Sequence, residues 1–525
     1  MDSRTPCRHA SFHAMTMLSR SFFGASGTAT AARAGTSSEA GRRRAEPTTP
    51  ARQARPNRSR RVIGSVHPLA GMARSVPPSD RFVKTPAEEL LYAVAHMARP
   101  KVVIVGGGFG GLACARKLDG APVDVLVLDG RNYHLFTPLL YQVATGLLNP
   151  SDIAYPLRRC FRRSRNVRFR QAEVAKVDLA GKRLLTGDGH DVTYDHLVLA
   201  TGSTNNYFGH QDLAGATIGM KTLGEAMRLR NHVLSCLERG ANEPDEDERR
   251  RWLTFVIVGG GPTGVEYAGA LVELLRLVLG RDYPELRPGM ARIVLAEGRP
   301  RLLDAFPERL ARYAERTLER RGVEVRTGAL VAKATDLVAL LSDGEEILTR
   351  TIVWSAGVRP DAPDTTPEPA RSRSHRIEVD ECLQIRGHED AFAIGDVAAG
   401  PAADPELPML SAVAMQQGRY VARLILARAR VPSAGKRRTA PAPFRYFDKG
   451  ILATIGRNAA VGQIGAVGLT GFLGWVAWLV VHLYYLVGFR NRVFVFSSWA
   501  WAYLKEDRPI RIIARADDDP IVPGE

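Results

Sequence analysis

The residues that most clearly point to a chemistry are three glycines that follow a short apolar run near position 100. Gly106, Gly108 and Gly111 fill the pattern GxGxxG directly after the β-branched stretch 102–105. In a strand–turn–helix unit the first glycine permits a tight turn, the second lets the backbone approach a pyrophosphate, and the third lets helix and strand pack closely. The next predicted strand ends in Asp129, where a carboxylate can bond a ribose hydroxyl. The segment therefore predicts a dinucleotide-binding loop.

The same arrangement recurs 153 residues later. Gly259, Gly261 and Gly264 follow another β-branched run, and the next predicted strand ends in Glu297. An acid at that place favours a free ribose 2′-hydroxyl, hence NAD over NADP, although Arg299 lies close by and weakens the preference. Two such loops predict two bound dinucleotides with a hydride passing between them. A tandem duplication with one inactive site is the alternative.

Three further apolar runs end in short turns that contain glycine, which is typical of buried strands at the ligand-binding edge of a sheet. These turns are Thr201-Gly202, Ala356-Gly357 and Gly395-Asp396.

The order of these motifs resembles the flavoproteins with two dinucleotide-binding domains, the pyridine nucleotide-disulfide oxidoreductase superfamily. The resemblance implies an α/β fold with two Rossmann-like doubly wound domains, the NAD domain being inserted in the FAD domain. The apolar C-terminal stretch described below adds C-terminal membrane-associating helices to this expected fold. The expected segments are a disordered N-terminal extension (1–98), the FAD domain (99–249 and 361–457, the latter with a quinone-site segment), the NADH domain (250–360) and a C-terminal membrane anchor (458–525).

Within that superfamily, several segments are similar to those of the type II NADH:quinone oxidoreductases, the alternative enzymes that do not pump protons. The similar segments are 137–146, which would line the flavin, 261–266 in the NADH loop, 414–418 at the end of the quinone motif, 446–457, and the basic turn 488–492. The resemblance implies hydride transfer from NADH to FAD, and then transfer of two electrons to a membrane quinone.

The resemblance also assigns three chemical roles. Glu266 reaches toward the nicotinamide and the flavin and assists proton delivery, Lys449 favours negative charge on the flavin or quinone, and Gln416 offers an amide to a quinone oxygen. Many members carry another glutamine four residues earlier, where this chain has Ala412. The structural alternatives are a first-turn helix acid for Glu266, a surface turn residue for Lys449 and a helix-surface amide for Gln416.

The cofactors implied are FAD and NADH, with no metal. The FAD residues would be Gly106, Gly108, Gly111, Asp129, Tyr141, Thr201, Gly202, Gly395 and Asp396; the NADH residues would be Gly259, Gly261, Gly264, Glu297, Ala356 and Gly357.

The five cysteines lie far apart and form no CxxC pair, which disfavours a zinc site, an iron–sulfur cluster and a redox-active dithiol. Disulfide reductases need paired cysteines soon after the first loop, where this chain has Cys114 and then Cys160. Sulfide:quinone oxidoreductases need a pair flanking the flavin, whereas the second half of this chain has only Cys382. Two other functions stay open: reduction of a soluble acceptor, as in ferredoxin reductases, and a flavin-bearing signalling protein similar to apoptosis-inducing factor.

The net charge of +17 is concentrated in one tail, since residues 1–99 carry ten of these charges. Such a distribution does not predict a nucleic-acid partner for the folded domains. An arginine-rich, acid-poor tail is typical of an organelle transit peptide, but 62 of the 72 basic residues in the chain are arginine, which favours untranslated or dispensable upstream sequence. We expect the cytoplasmic face of a bacterial inner membrane, or the mitochondrial inner membrane if the tail is a transit peptide.

The C-terminal region contains no charged residue between Arg457 and Arg490. Its unbroken apolar part, 472–487, would span about 24 Å as a helix, which is short of the roughly 30 Å hydrocarbon core. A second aromatic-rich segment, 493–504, follows a basic turn. This pattern predicts an anchor that lies in the plane of the bilayer surface, with hydride transfer needing only the two nucleotide domains. A buried homodimer interface and a single membrane crossing are the alternatives.

Overall fold

The computed structural model describes residues 99–401, 406–429 and 442–514. The disordered extension expected over residues 1–98 lies outside the described residues.

The first sheet has eight strands, drawn from two distant parts of the chain. In spatial order they are Ala398–Pro401, Ile377–Val379, Gln384–Ile385, His388–Ala393, His196–Leu199, Lys101–Val105, Asp124–Asp129 and Val167–Gln171. The strand Lys101–Val105 lies between the parallel strands Asp124–Asp129 and His196–Leu199. The loops that follow these three strands therefore meet at one edge of the sheet, which brings the first glycine loop, Asp129 and Thr201 together.

The second sheet repeats this plan with five parallel strands. In spatial order they are Ile218–Gly219, Thr351–Trp354, Thr254–Val258, Arg292–Glu297 and Val323–Thr327. The strand before the second glycine loop is again central, between the strand that ends in Glu297 and the strand that leads to Ala356. Because Ile218–Gly219 pairs with Thr351–Trp354, the second sheet includes a strand that precedes residue 250, the expected start of the NADH domain.

The remaining elements connect and cover these sheets. The helices are Phe109–Leu118, Leu140–Ala144, Pro150–Ile153, Leu157–Cys160, Gln211–Ala216, Leu223–Asn242, Glu246–Trp252, Pro262–Val278, Glu308–Arg320 and Ser411–Ala429, with 3₁₀ turns at Thr137–Leu139 and Gly395–Val397. The small sheets pair Tyr133–Leu135 with Ala154–Pro156, Ser203–Asn205 with Val358–Pro360, Val331–Ala334 with Val338–Leu341 and Glu346–Leu348, and Asp364–Thr366 with Val174–Asp178, Arg183–Thr186 and Asp191–Thr193.

The C-terminal region begins with a three-stranded antiparallel sheet, Ile451–Gly456, Ala459–Ile464 and Val467–Thr470, and continues as the helices Gly471–Tyr485 and Phe489–Lys505. The expected domain boundary at residue 457 thus falls in the turn between two paired strands, and the helical part starts at Gly471. The apolar core that holds Phe255 and Tyr267 of the second domain also holds Trp478 and Val495 of these helices. The C-terminal helices are therefore part of the folded enzyme body.

Candidate active site

The first glycine loop, residues 106–111, has no room for side chains at its first and third glycines and has open space at its second. We call this loop the first cradle, and the corresponding loop 259–264 the second cradle. Gly106 has a φ of +106°, and a Cβ there would lie 2.2 Å from the carbonyl oxygen of Ala200. A Cβ on Gly111 would lie 1.8 Å from the carbonyl oxygen of Gly106. A Cβ on Gly108, in contrast, would meet nothing within 4 Å. The second glycine thus faces the space that a pyrophosphate needs at the N-terminus of the helix Phe109–Leu118.

Asp129 binds the first glycine loop through one carboxylate oxygen and the turn after its own strand through the other. Oδ2 accepts a hydrogen bond from Gly107 N at 2.7 Å, and Oδ1 accepts one from Arg131 N at 2.8 Å. On the other side of the loop, the hydroxyl of Thr201 and Nε2 of His134 are buried and have no partner among the described residues. Open backbone space beside orphaned polar atoms fits the pyrophosphate and other polar groups of FAD.

The turn Gly395-Asp396 lies beside the same edge of the first sheet, where Asp396 contacts the residue that follows Thr201-Gly202. Asp396 Oδ2 accepts a hydrogen bond of 2.5 Å from the hydroxyl of Ser203, which in turn accepts one of 2.8 Å from Lys221 Nζ. Gly395 N donates to Gln417 Oε1 at 2.6 Å, whereas Gln417 Nε2 is buried and has no partner in the described part of the chain. Sequence reasoning missed Ser203, Lys221 and Gln417, because no motif links them to the turn.

The second glycine loop has the same geometry. A Cβ on Gly259 would lie 2.6 Å from Ala356 Cα, and one on Gly264 would lie 1.9 Å from the carbonyl oxygen of Gly259. A Cβ on Gly261 would again meet nothing within 4 Å. The helix begins with Pro262, which suits the first helical position because its missing N–H has no partner there anyway.

Glu297 accepts a hydrogen bond from the backbone of the second glycine loop, as Asp129 does from the first. Its Oε2 accepts a hydrogen bond from Gly260 N at 2.5 Å, and its Oε1 accepts one from Arg299 N at 2.8 Å. The Arg299 guanidinium pairs with Asp304 at 2.5 Å. The predicted Ala356-Gly357 turn lies against this loop, since Gly259 touches Ala356, and Asn206 N donates to the Gly357 carbonyl.

Glu266 is a buried carboxyl group on the helix that starts at the second loop. It is 8 % exposed, and its Oε1 accepts hydrogen bonds from Thr454 N at 3.3 Å and from Trp478 Nε1 at 3.1 Å. Burial raises the pKa of Glu266 to about 8, against the smaller opposing effect of these two hydrogen bonds. The group therefore holds its proton at neutral pH and titrates just above it.

Tyr141 lies on the short helix Leu140–Ala144, with its ring 6.3 Å from that of Trp478. Burial raises the pKa of Tyr141 well above its usual value, and the hydroxyl accepts a hydrogen bond from Gln142 Nε2 at 2.8 Å. The phenol is therefore neutral and is placed beside the residue that binds Glu266.

Gln416 and Lys449 lie together on the wall of a cavity of about 1410 Å³. Both ends of the Gln416 amide are bound to one residue, since Nε2 donates to the Phe447 carbonyl at 2.9 Å and Oε1 accepts from Phe447 N at 3.0 Å. Lys449 Nζ donates to the hydroxyl of Tyr485 at 2.9 Å. Gln416 thus holds the segment that carries Lys449 in place through the Phe447 backbone. The sequence did not indicate this role for the amide.

The same cavity is strongly basic. Its lining includes seven cationic side chains and, among the described residues, no carboxylate; the cations are Arg116, Lys117, Arg419, Arg423, Arg445, Lys449 and Arg492. A potential of this sign attracts anions to the mouth of the cavity.

The helix Gly471–Tyr485 connects the two groups of candidate residues. Trp478, near its middle, binds Glu266, and Tyr485, at its end, binds Lys449. His482 stacks on Trp478 with ring centroids 4.0 Å apart, and burial lowers the pKa of His482 to about 4. His482 is therefore neutral, and it lies between Trp478 and Tyr485 on this helix.

The apolar side chains that this helix pair leaves exposed are Phe472, Leu473, Val476, Val480, Tyr484, Phe489, Val493, Phe494, Phe496, Trp501, Tyr503 and Leu504. Over the part of the chain that the structure describes, no helix combines the length and the apolarity needed to cross a bilayer.

The family model of the pyridine nucleotide-disulphide oxidoreductases matches residues 100–418. This match spans more than half of the chain, and the chain belongs to that family. The type II NADH:quinone oxidoreductase Ndh of Mycobacterium tuberculosis is 37% identical over 423 residues, which are 78% of this chain and 89% of that protein. Within the family, the chain is thus a type II NADH:quinone oxidoreductase.

Two more distant comparisons agree with this assignment. The mitochondrial external alternative NAD(P)H-ubiquinone oxidoreductase B2 of Arabidopsis thaliana is 32% identical over 317 residues, 57% of this chain and 54% of that protein. The structure of NDH2 from Plasmodium falciparum in complex with NADH covers 80% of this chain and 100% of that chain with a TM-score of 0.72. At 19% identity this second likeness concerns the fold.

Four of the five cysteines lie within the described residues. Cys114, Cys160, Cys236 and Cys382 are all free. Burial raises the pKa of Cys114, the cysteine nearest to the first loop, to about 12, so it stays a thiol at neutral pH.

Proposed function

We propose that this chain oxidises NADH with a quinone at the edge where its two nucleotide cradles meet the C-terminal helices. The observation that carries the proposal is Glu266: the helix of the second cradle presents this buried carboxyl group, and a C-terminal helix with an exposed apolar face binds it through Trp478. The titratable group Glu266 thus lies on the helix of the second nucleotide loop and is bound by a helix whose outer face is apolar.

The chain's own residues bind and orient the two dinucleotides. The first cradle, Asp129 and the Gly395-Asp396 turn would hold FAD, which supplies a carrier that accepts two electrons at once and passes them on. The second cradle would hold the pyrophosphate of NADH, with Glu297 on the adenosine ribose and Ala356-Gly357 beneath the nucleotide. Glu266 holds or releases one proton close to neutral pH, as a reaction that produces a quinol requires.

The cavity that contains Lys449 is the proposed quinone site. An ammonium group there stabilises negative charge that develops on a quinone oxygen, and Gln416 keeps the ammonium in place through Phe447. The exposed apolar face of the C-terminal helices and the basic cavity together favour docking on an anionic bilayer surface. We place the enzyme on the side of the membrane that meets NADH, the cytoplasmic face in a bacterium, with a homodimer as a possible assembly.

Separate measurement of the two half-reactions tests this function. Purified protein is mixed with NADH without oxygen, and the visible flavin absorbance is expected to bleach; a short-chain quinone added afterwards is expected to restore it within the turnover time. A colourless protein contradicts the proposal. Bleaching that only a soluble dye or ferredoxin reverses supports the soluble-acceptor alternative instead.

Replacement of Lys449 is expected to affect only the second half-reaction. Lys449→Met removes a charged donor to the developing quinone anion, so we expect kcat/KM for quinone to fall about tenfold to a hundredfold. Flavin reduction by NADH should stay within twofold of wild type. Lys449→Arg keeps the charge and should retain most of the activity, and Lys333→Met, at an exposed strand position, is the control. Equal losses in both half-reactions would contradict a role at the quinone.

Glu297 is expected to set the preference for NADH over NADPH. Its carboxylate would face the extra phosphate of NADPH. Because Glu297→Gln removes this like-charge repulsion, the ratio of kcat/KM for NADH to kcat/KM for NADPH should fall by about tenfold. Glu297→Asp keeps the charge that Asp129 provides in the first loop and should keep the preference. A wild-type protein that uses both nucleotides equally well shows that Glu297 does not discriminate.

A further inference from the structure

The hydrogen bonds to Glu266 are unevenly distributed over its two oxygens. Both described donors, Thr454 N and Trp478 Nε1, bind Oε1, at 3.3 and 3.1 Å. No described residue donates to Oε2. Trp478 lies 212 residues further along the chain, on the helix Gly471–Tyr485, and is 1 % exposed, so its indole cannot turn away without disturbing the core.

Among the described residues, the titratable side chains beside the Trp478 ring are neutral. Tyr141 and His482 both contact the Trp478 ring, and both are neutral, since burial raises the pKa of Tyr141 well above its usual value and lowers that of His482 to about 4. From the strand Ile451–Gly456, the contact is the backbone N–H of Thr454. No charged side chain of the described residues contributes to the raised pKa of Glu266. Within the described structure, the indole is the one side chain that donates a hydrogen bond to this carboxyl group.

We infer that Trp478 is a positioning residue for Glu266: with Thr454 N–H it occupies Oε1, and so places the exchangeable proton of the carboxyl group on Oε2. The inference rests on the proposed function, because it matters for catalysis only if Glu266 exchanges a proton during turnover. It gives the C-terminal helix a second task besides docking, since the helix whose outer face is apolar also orients the carboxyl group of the nucleotide domain.

The sign of the expected effect follows from the donor. An N–H donor stabilises the carboxylate more than the acid, so loss of the indole N–H raises the pKa of Glu266 further above about 8. For a hydrogen bond to a charged group we expect an upward shift of about one unit in the pH profile of flavin reduction by NADH. KM for NADH should stay unchanged, because Trp478 is not part of the second cradle.

Trp478→Phe is the test variant and Trp475→Phe is the matched control. Trp475 lies one turn earlier on the same helix and stacks on Tyr503, with ring centroids 5.7 Å apart. The first readout is the pH profile of flavin reduction. The second is the infrared C=O band of the protonated carboxyl group, assigned by its loss in Glu266→Gln and titrated in the resting holoenzyme. We expect an upward shift in both readouts for Trp478→Phe and none for Trp475→Phe.

An unshifted infrared titration in folded, flavin-bound Trp478→Phe overturns the inference, and so does an equal shift in Trp475→Phe. If Trp478→Phe fails to fold, the benzothiophene analogue of tryptophan at position 478 keeps the ring and removes only the N–H. The infrared titration reports on the carboxyl group itself. It therefore separates failure of this inference from failure of the proposed function, which would show as missing quinone reduction with a normal shift of the band.

Discussion

Deletion of residues 470–525 is expected to abolish flavin binding rather than to release a soluble, active enzyme. Trp478 is the largest fully buried side chain of the described residues, and Leu486 and Val495 are buried with it. A Cβ on Gly474 would lie 2.9 Å from the carbonyl oxygen of Ala460, which shows how closely the first C-terminal helix lies on the sheet below. Loss of one large core side chain costs about 3–5 kcal/mol, and a domain is stable by only about 5–15 kcal/mol.

The measurements are flavin content per chain, melting temperature and NADH oxidation with a small soluble acceptor. We expect little soluble protein, less than a tenth of the flavin content and no activity. Trp478→Ala alone should lower the melting temperature by several degrees, which confirms that the core contact matters. A soluble, yellow truncated protein that oxidises NADH would instead support the sequence-based expectation that the two nucleotide domains suffice.

Local motifs predicted the cradles because their chemistry is local. A glycine is required wherever backbone approaches backbone within about 2 Å of a missing Cβ, and this holds at Gly106, Gly111 and Gly264. The acid that binds each loop is also set by the strand–turn–helix–strand unit, so Asp129 and Glu297 could be assigned as the residues that end the strand after each loop. The family resemblance added Glu266, Gln416 and Lys449 without their partners.

The partners could not be predicted because they come from distant parts of the chain. Glu266 and Trp478 are 212 residues apart, and Lys449 reaches Tyr485 from another element. Glycine recurs at positions 462, 465, 468, 471 and 474, within a membrane-anchor module that was expected to begin at residue 458. In the structure the first three of these glycines form a hairpin, with Gly462 and Gly468 in paired strands and Gly465 in the turn at a φ of +56°. Hairpin pairing, rather than composition, sets where the helices begin.

The two C-terminal helices thus have an inner face that packs in the apolar core and an outer face that is exposed in the described structure. This division allows membrane docking to be tested without damage to the fold, because the most exposed apolar side chains make few core contacts. Leu473, Phe489 and Leu504 are 70 %, 83 % and 77 % exposed.

The triple variant Leu473→Glu, Phe489→Glu and Leu504→Glu is expected to detach the enzyme from lipid and to leave its chemistry intact. Burial of one such side chain in an apolar phase is worth about 1.5–3 kcal/mol, so their combined loss should weaken partitioning into vesicles by at least about a thousandfold. Flavin content and reduction of a soluble short-chain quinone should match wild type, whereas turnover with a long-chain quinone in vesicles should be lost. The control triple Leu185→Glu, Leu330→Glu and Leu348→Glu places the same charges on exposed leucines outside the C-terminal helices; Leu185 and Leu348 lie on strands, and Leu330 lies directly before the strand Val331–Ala334. Sedimentation with vesicles tests whether this helix face docks on lipid. If the C-terminal triple variant pellets with the vesicles as fully as the control triple variant does, this helix face is not the docking surface.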